Sequence, residues 1–494
     1  MARDLILAID QGTTGTTALL VDSNFRPLAR KTVDFPQHFP QPGWVEHEPE
    51  EIWASVLMAI SHVLDDESRN RLAAIGITNQ RETCLVWHRT SGKVLSPAIV
   101  WQDRRTAEFC EKLQREGHEP QIRERTGLCL DPYFSGTKLA WILDHFDADR
   151  RQAESGEWAA GTIDSYLIWR LSGKRSHVSD PTNASRTLLW PLEGRANGAG
   201  WDPELAKLFG VPLQLLPTVV PNAGICAQTL GVPGLPDGIA IAGLAGDQHA
   251  ALFGQGCFDA GMAKCTYGTG AFVLMQTGNV LQRSKHGLLT TVAWQLGDRV
   301  DYALEGSAFM AGAVVSWLRD ELGLIAHVDE IEALARSVAD SDGVVLVPAH
   351  AGLGAPHWRP HARGLISGLT RGTNKAHLAR AALEGIALQV GDLITAMAQD
   401  MGGKVREVRV DGGAASNDLL MQIQADILGV PLARSSMLET TALGAAMFAA
   451  LGIGLCPSLD ALRPVWRLER SFEPEAGRYE AAFFERWRDA LRKC

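Results

Sequence analysis

The sequence lacks most of the features that would set it apart from ordinary globular enzymes. It has no excess of positive charge: 47 Lys and Arg stand against 57 Asp and Glu, for a formal net charge of −10. The mean field therefore repels a phosphate backbone, and nucleic acid is not an expected partner. Its 8 cysteines form no C-x-x-C pair, which argues against a zinc knuckle or a disulfide framework and fits a reducing cytoplasm. No secretory leader is expected, because the early apolar run 5–9 follows Arg3 and Asp4 and stops at Asp10. The longest uncharged run of small and apolar residues, 442–456, falls short of the ~18 residues that suggest a membrane span and reads as a buried helix. Neither a G-x-x-x-x-G-K-[ST] loop nor the signature loops of protein kinases occur. Any nucleotide is therefore held in another way.

Glycine, by contrast, is abundant, at 49 residues, which suits tight turns and close backbone approach to a ligand. Residues 5–9, the turn 10–15 and residues 17–22 read as a strand, a Gly/Thr turn and a second strand. Pro49, with Glu50 and Glu51 beside it and Ile52, Trp53, Val56, Leu57 and Ile60 at helical spacing, predicts a helix. Short apolar runs at 73–78, 83–88 and 98–101 are expected to continue one sheet. The Gly- and Pro-rich stretch 194–238 reads as turns ahead of a domain junction. Beyond it, 263–267, Gly268-Thr269-Gly270 and 271–276 echo the opening hairpin, which predicts two related α/β halves. Residues 408–410, Asp411-Gly412-Gly413 and a helix capped near Ser416-Asn417 and ending near Leu428 form a third turn-based unit.

Three groups of residues carry chemistry. Asp10, Thr13 and Thr14 at a glycine turn offer a carboxylate, hydroxyls and backbone N–H groups, a set that suits phosphate oxygens and magnesium. Thr269 repeats the turn without the carboxylate. Arg81 beside Glu82, Trp101-Gln102-Asp103, Tyr133 and Gly246-Asp247-Gln248 supply the donors, acceptors and rings that a polyol needs. Adjacent strand residues point to opposite faces, so Arg81 and Glu82 can share a ligand only if the strand has ended there. Asp247 follows the small apolar stretch 239–245, where a carboxylate has a functional reason to stand.

These pieces together resemble the glycerol kinases, within the carbohydrate kinases that share the actin-like and hexokinase-like ATPase architecture. The resemblance covers essentially the whole chain and rests on PGWVEH at 42–47, ITNQRET at 77–83, DPYFSGTK at 131–138, GDQ at 246–248, YGTG at 267–270, GLGAP at 352–356 and DGGA at 411–414. It implies two ribonuclease H-like domains, 1–253 and 254–494, around a central cleft. It also implies ATP-dependent phosphorylation of glycerol with magnesium, by a cytoplasmic homodimer or homotetramer. By the same resemblance Asp247 is the general base, Arg81, Glu82, Tyr133 and Gln248 bind the hydroxyls, and Trp101 and Phe272 wall the carbon chain. Thr13, Thr14 and Thr269 contact the phosphates, Gly312, Gly413 and Asn417 lie along the nucleoside, and Asp10 faces magnesium. The alternatives are a related kinase for a longer polyol or a ketose, and a nucleotide-switched ATPase of the same architecture.

The chain also departs from its relatives. Thr17 stands where they usually have Arg and Ser316 where many have Gln, so neither of those roles is carried over. His350, His357 and His361 replace residues that are commonly aromatic, and read as packing or surface groups rather than zinc ligands. Residues 229–239 hold no basic residue, unlike the sugar-bisphosphate loop of enteric relatives. No histidine lies between Leu188 and Gln248, where others carry a phosphorylatable one. The chain is thus predicted to take no labelled phosphate from a phosphotransferase system; incorporation of label would contradict this.

Overall fold

The structure is a computed structural model that describes residues 3–193, 200–403, 405–437 and 439–494. Part of the predicted turn-rich stretch, 194–199, lies outside the described residues. Leu5–Gln11 (β1) and Gly15–Val21 (β2) form the opening hairpin, and Pro27–Asp34 (β3) adds an exposed edge. On its other side β1 pairs in parallel with Leu72–Asn79 (β4), so it is buried on both faces and reads as a continuous apolar run. Pro49–Val63 (α1) covers one face and starts with proline and two glutamates at the positive end of its dipole, as the sequence indicates. Ala223–Gln228 (β5) and Ala240–Gly246 (β6) complete the first half, in the order β3-β2-β1-β4-β6-β5.

The second half repeats the plan. Ala263–Tyr267 (β7), Ala271–Gly278 (β8), Leu289–Leu296 (β9), Arg299–Ala308 (β10), Val408–Asp411 (β11), Leu432–Ser435 (β12) and Leu468–Phe472 (β13) run in the order β9-β10-β8-β7-β11-β12-β13. In both halves the hairpin that carries a glycine turn has antiparallel strands on one side and parallel strands on the other. A single residue pair, Ala223 with Leu296, joins the two into one 13-stranded sheet. The two-part α/β architecture and the hairpin echo are therefore both present.

One expectation is corrected. Residues 84–88 and 98–99 do not extend the main sheet; they join Glu46–His47 and Trp158–Thr162 in a separate four-stranded sheet. The cause is local, since Glu82 adopts a φ of 62° and this left-handed bend turns the chain away just after β4.

Helices Asp247–Gly254 (α2), Gly312–Asp320 (α3), Lys375–Asp400 (α4), Asp418–Leu428 (α5) and Thr440–Gly452 (α6) fill the space around the second hairpin and the junction. By length and composition α4 could cross a membrane, yet 83% of its most apolar window is buried inside the molecule. The uncharged run 442–456 forms most of α6, which is buried as expected.

Although α6 belongs to the second half of the chain, it packs on β1, β4 and β6 of the first and against α2. It does so at backbone distance. A Cβ at Gly444 would fall 1.9 Å from the Ala250 carbonyl oxygen, one at Gly76 2.1 Å from that of Ala445, and one at Gly243 2.3 Å from the Ala449 nitrogen. Gly444→Ala is thus expected to destabilise the protein by about 1–3 kcal/mol through overpacking, read as a lower unfolding midpoint. Gly372→Ala, whose Cβ would meet only the Thr370 hydroxyl at 3.6 Å, should leave the midpoint unchanged.

Candidate active site

The cluster that holds Arg81, Glu82 and Asp247 is built where the chain leaves β4. The strand ends at Asn79, and the bend at Arg81 and Glu82 lets adjacent side chains enter one cluster, which meets the condition set by strand geometry. Arg81 gives its two terminal nitrogens to Glu305 of β10, at 2.6 and 2.8 Å, and turns Nε toward Asp247 Oδ1 at 3.2 Å. Glu82 accepts Arg186 Nε at 2.6 Å, and Arg186 reaches Glu305 Oε1 at 3.1 Å. Arg81, Glu82, Arg186 and Glu305 are all buried. Burial alone would push the carboxyls up and neutralise them. At Glu305 the flanking Arg186 and Arg81 outweigh burial and hold its pKa far below the usual range, whereas at Glu82 burial wins and the pKa is raised.

Aromatic rings complete this cluster. The Trp101 ring centroid lies 5.7 Å from that of Tyr133 and 6.3 Å from that of Phe272. Tyr133 also faces the Arg186 guanidinium at 5.5 Å. Burial pushes its phenol pKa well up, so the group stays a protonated donor.

Asp247 opens α2 directly after β6. Gly246 is required there, since a Cβ would fall 2.6 Å from Arg81 Cγ. Asp247 Oδ1 accepts the Gln248 backbone N–H at 2.6 Å, while Oδ2 has no hydrogen-bond partner among the described residues. The Gln248 side-chain oxygen accepts from buried Lys264, which also donates to Thr266 at 3.0 Å. Asp103 stands apart from this cluster; it accepts the Val45 N–H and pairs with Arg105.

The two glycine turns are closed alike. Gly12 N–H donates to the Gly15 oxygen and Gly268 N–H to that of Gly270, both at 2.9 Å. Thr14 and Thr269 are exposed at the tips, and the partly buried Thr13 accepts the Trp101 indole N–H at 2.9 Å. That bond ties the first turn to the aromatic wall. The N-terminal N–H groups of α3 rest on the second turn: Gly312 donates to the Gly268 oxygen, and Ala311 and Ala313 to that of Thr269. Further along, β11 ends at Asp411, and after Gly412 a short 3-10 turn, Gly413–Ser416, leads into α5, with Asn417 as its cap. Asn417 Oδ1 is used by the Leu420 N–H at 2.9 Å. Gly413 faces open space, with no atom within 4 Å of an added Cβ.

Asp10 lies near the end of β1. Its pKa is pushed up to about 8, first by burial and then by Asp247 and Glu439, against a lowering contribution from Arg30. Arg30 itself pairs with Glu439 at 2.6 Å. Among the described residues no three His, Cys, Asp or Glu side chains gather into a metal cluster. A single carboxylate in a surplus of negative charge suits magnesium, which takes one or two carboxylates and completes its shell with phosphate oxygens and water.

The N-terminal domain of the FGGY family of carbohydrate kinases matches residues 5–254 and the C-terminal domain matches 263–453. The chain belongs to the FGGY family of carbohydrate kinases. It is 54% identical to the glycerol kinase of Alkalilimnicola ehrlichii over 99% of this chain and 98% of that one. It is also 54% identical to the glycerol kinase of Myxococcus xanthus over 95% of each. The crystal structure of Plasmodium falciparum glycerol kinase with ADP superposes with a TM-score of 0.91 at 34% identity, covering 100% of this chain and 98% of that one. A xylulose kinase from Lactobacillus acidophilus, at TM-score 0.85 and 22% identity over 99% of this chain and 97% of that one, shares the fold.

Within this FGGY chain Thr17, which faces Asp10 across the β1–β2 pair, bonds Thr32 at 2.8 Å. Ser316 is partly buried on α3. His350 packs on Trp317, His357 pairs with Asp392 and His361 is exposed. Arg186, Glu305 and Lys264 escaped the sequence reading. The one available signal was a carboxylate set among Ala303, Leu304 and Gly306 in an apolar strand.

Asp10 ionises more easily in the unfolded chain, where its pKa is about 3.9, than in the ligand-free fold, so the fold loses stability as pH rises from about 4 toward 8. Asp10→Asn is expected to melt higher than the parent without ligand. The gain should grow across that window, while magnesium-dependent nucleotide binding weakens. A pH-independent gain would contradict the assignment.

Proposed function

We propose that this kinase transfers the γ-phosphoryl group of ATP to a terminal hydroxyl of glycerol, giving ADP and sn-glycerol 3-phosphate. The observation that carries the reading is the open Asp247 Oδ2, beside the buried charge cluster of Arg81, Glu305, Arg186 and Glu82. Glycerol kinases at 54% identity over nearly the whole chain support it.

Asp247 takes the proton of the attacking hydroxyl as its oxygen bonds to the γ-phosphorus and the bond to the ADP oxygen breaks. Arg81 donates to a neighbouring hydroxyl and Glu82 accepts from one. Tyr133 and the amide of Gln248 add further donors. Trp101 and Phe272 cover the carbon chain, and Trp101 with Tyr133 favours a small triol. Thr13, Thr14 and Thr269 hold phosphate oxygens with the turn N–H groups, while Gly312, Gly413 and the Asn417 amide lie along the nucleoside. Asp10 would hold magnesium, which offsets charge on the phosphates when bound. Closure of the two bodies, 1–253 and 254–494, excludes water that would otherwise accept the phosphoryl group. The enzyme works as a homodimer or homotetramer in the cytoplasm.

Asp247→Asn is expected to lower kcat by about 10²- to 10⁴-fold with the circular dichroism spectrum unchanged; a near-normal rate would remove Asp247 from the role. ADP release should be measured side by side with glycerol, erythritol, xylitol, dihydroxyacetone, xylulose and no acceptor. Glycerol should dominate. Preference for a longer acceptor, or turnover that ignores acceptors, would contradict the reading.

A further inference from the structure

We infer that Glu305 is a positioning residue that keeps Arg81 from disarming Asp247. The inference rests on the reading of Asp247 as the base. A guanidinium binds a carboxylate best through two parallel N–H bonds from its fork, and two carboxylates lie within reach of Arg81. Glu305 takes the fork, with both terminal nitrogens of Arg81 on its two oxygens at 2.6 and 2.8 Å. Asp247 meets Arg81 at the Nε edge, 3.2 Å from Oδ1. Oδ1 also holds the Gln248 N–H, and no hydrogen bond from the described residues falls on Oδ2, which is left for a substrate hydroxyl.

If Glu305 lost its charge, Asp247 would be the best carboxylate left for the Arg81 fork. Both of its oxygens would then be occupied, and no lone pair would remain to take the proton. Arg186 keeps Glu305 in place from the other side through the 3.1 Å bond to Oε1. Its own Nη1 is buried without a hydrogen-bond partner among the described residues, so of these Glu82 and Glu305 orient the guanidinium, over the rings of Tyr133 and Phe134. Glu305 comes from β10 in the second half, whereas Arg81, Arg186 and Asp247 come from the first. The base is therefore armed only when β10 is seated against the first half.

The test is a double-mutant cycle on the full chain with Glu305→Gln and Asp247→Asn, reading glycerol-dependent kcat and, without turnover, glycerol affinity by tryptophan fluorescence. Glu305→Gln alone is expected to lower kcat by about 10- to 100-fold, with affinity changed less than about threefold. Added to Asp247→Asn it should lower the rate less than about twofold, because the group it protects is already gone. Glu305→Asp, which keeps the charge, should regain at least about tenfold of the loss. A merely structural Glu305 would multiply with Asp247→Asn and lower the active fraction in both backgrounds, and that result would overturn the inference, as would a near-normal Glu305→Gln. Should the Gln variant fail to fold, Glu305→Asp carries the same cycle: its partial loss must vanish in the Asp247→Asn background. A near-normal rate for Asp247→Asn alone would overturn the base reading itself, whereas a slow Asp247→Asn with multiplicative effects overturns only the role of Glu305.

Discussion

Five alternating charges, Glu82, Arg186, Glu305, Arg81 and Asp247, hold the junction of the two halves together. Each interior member has an opposite charge on both sides, which keeps it ionised despite burial. Removing one interior member would leave an unpaired buried charge, at a cost of about 3–5 kcal/mol. The order also has a chemical consequence, because a chain that starts and ends on carboxylates leaves acceptors at its two ends. One end, Glu82, suits a hydroxyl donor, and the other, Asp247, suits a hydroxyl about to lose its proton.

The rest of the fold frames this chain of charges. Duplication of the strand plan gives each half one hairpin with a glycine turn, at Gly12 and Gly268. The close packing of α6 on Gly76 and Gly243, and of Gly444 on α2, fixes the first sheet and the helix that bears Asp247 as one body. The bond from Trp101 to Thr13 then links the aromatic wall to the first glycine turn, so the two share one geometry.

Much of this was legible in the sequence because it is local. Hairpins with glycine turns, the Pro49 helix, the Asn417 cap and a carboxylate after a small apolar strand all declare themselves within a few residues, and the resemblance to known kinases gathered them into one site. What the sequence hid depends on distance. Arg81 and Glu305 are separated by 224 positions, and Glu82 and Arg186 by 104, so no spacing rule pairs them. The course of residues 84–99 was misjudged for a related reason: one left-handed residue, Glu82, redirects the chain, and a glutamate there carries no propensity signal for that bend.

The most direct measurement is a crystal structure of the protein with glycerol, magnesium and a non-hydrolysable ATP analogue. The account predicts a terminal glycerol hydroxyl about 2.6–3.2 Å from Asp247 Oδ2, the other hydroxyls on Arg81 and Glu82, and the γ-phosphate between the Gly12 and Gly268 turns. Glycerol bound away from Asp247, or an Oδ2 already taken by the Arg81 fork in that complex, would contradict it.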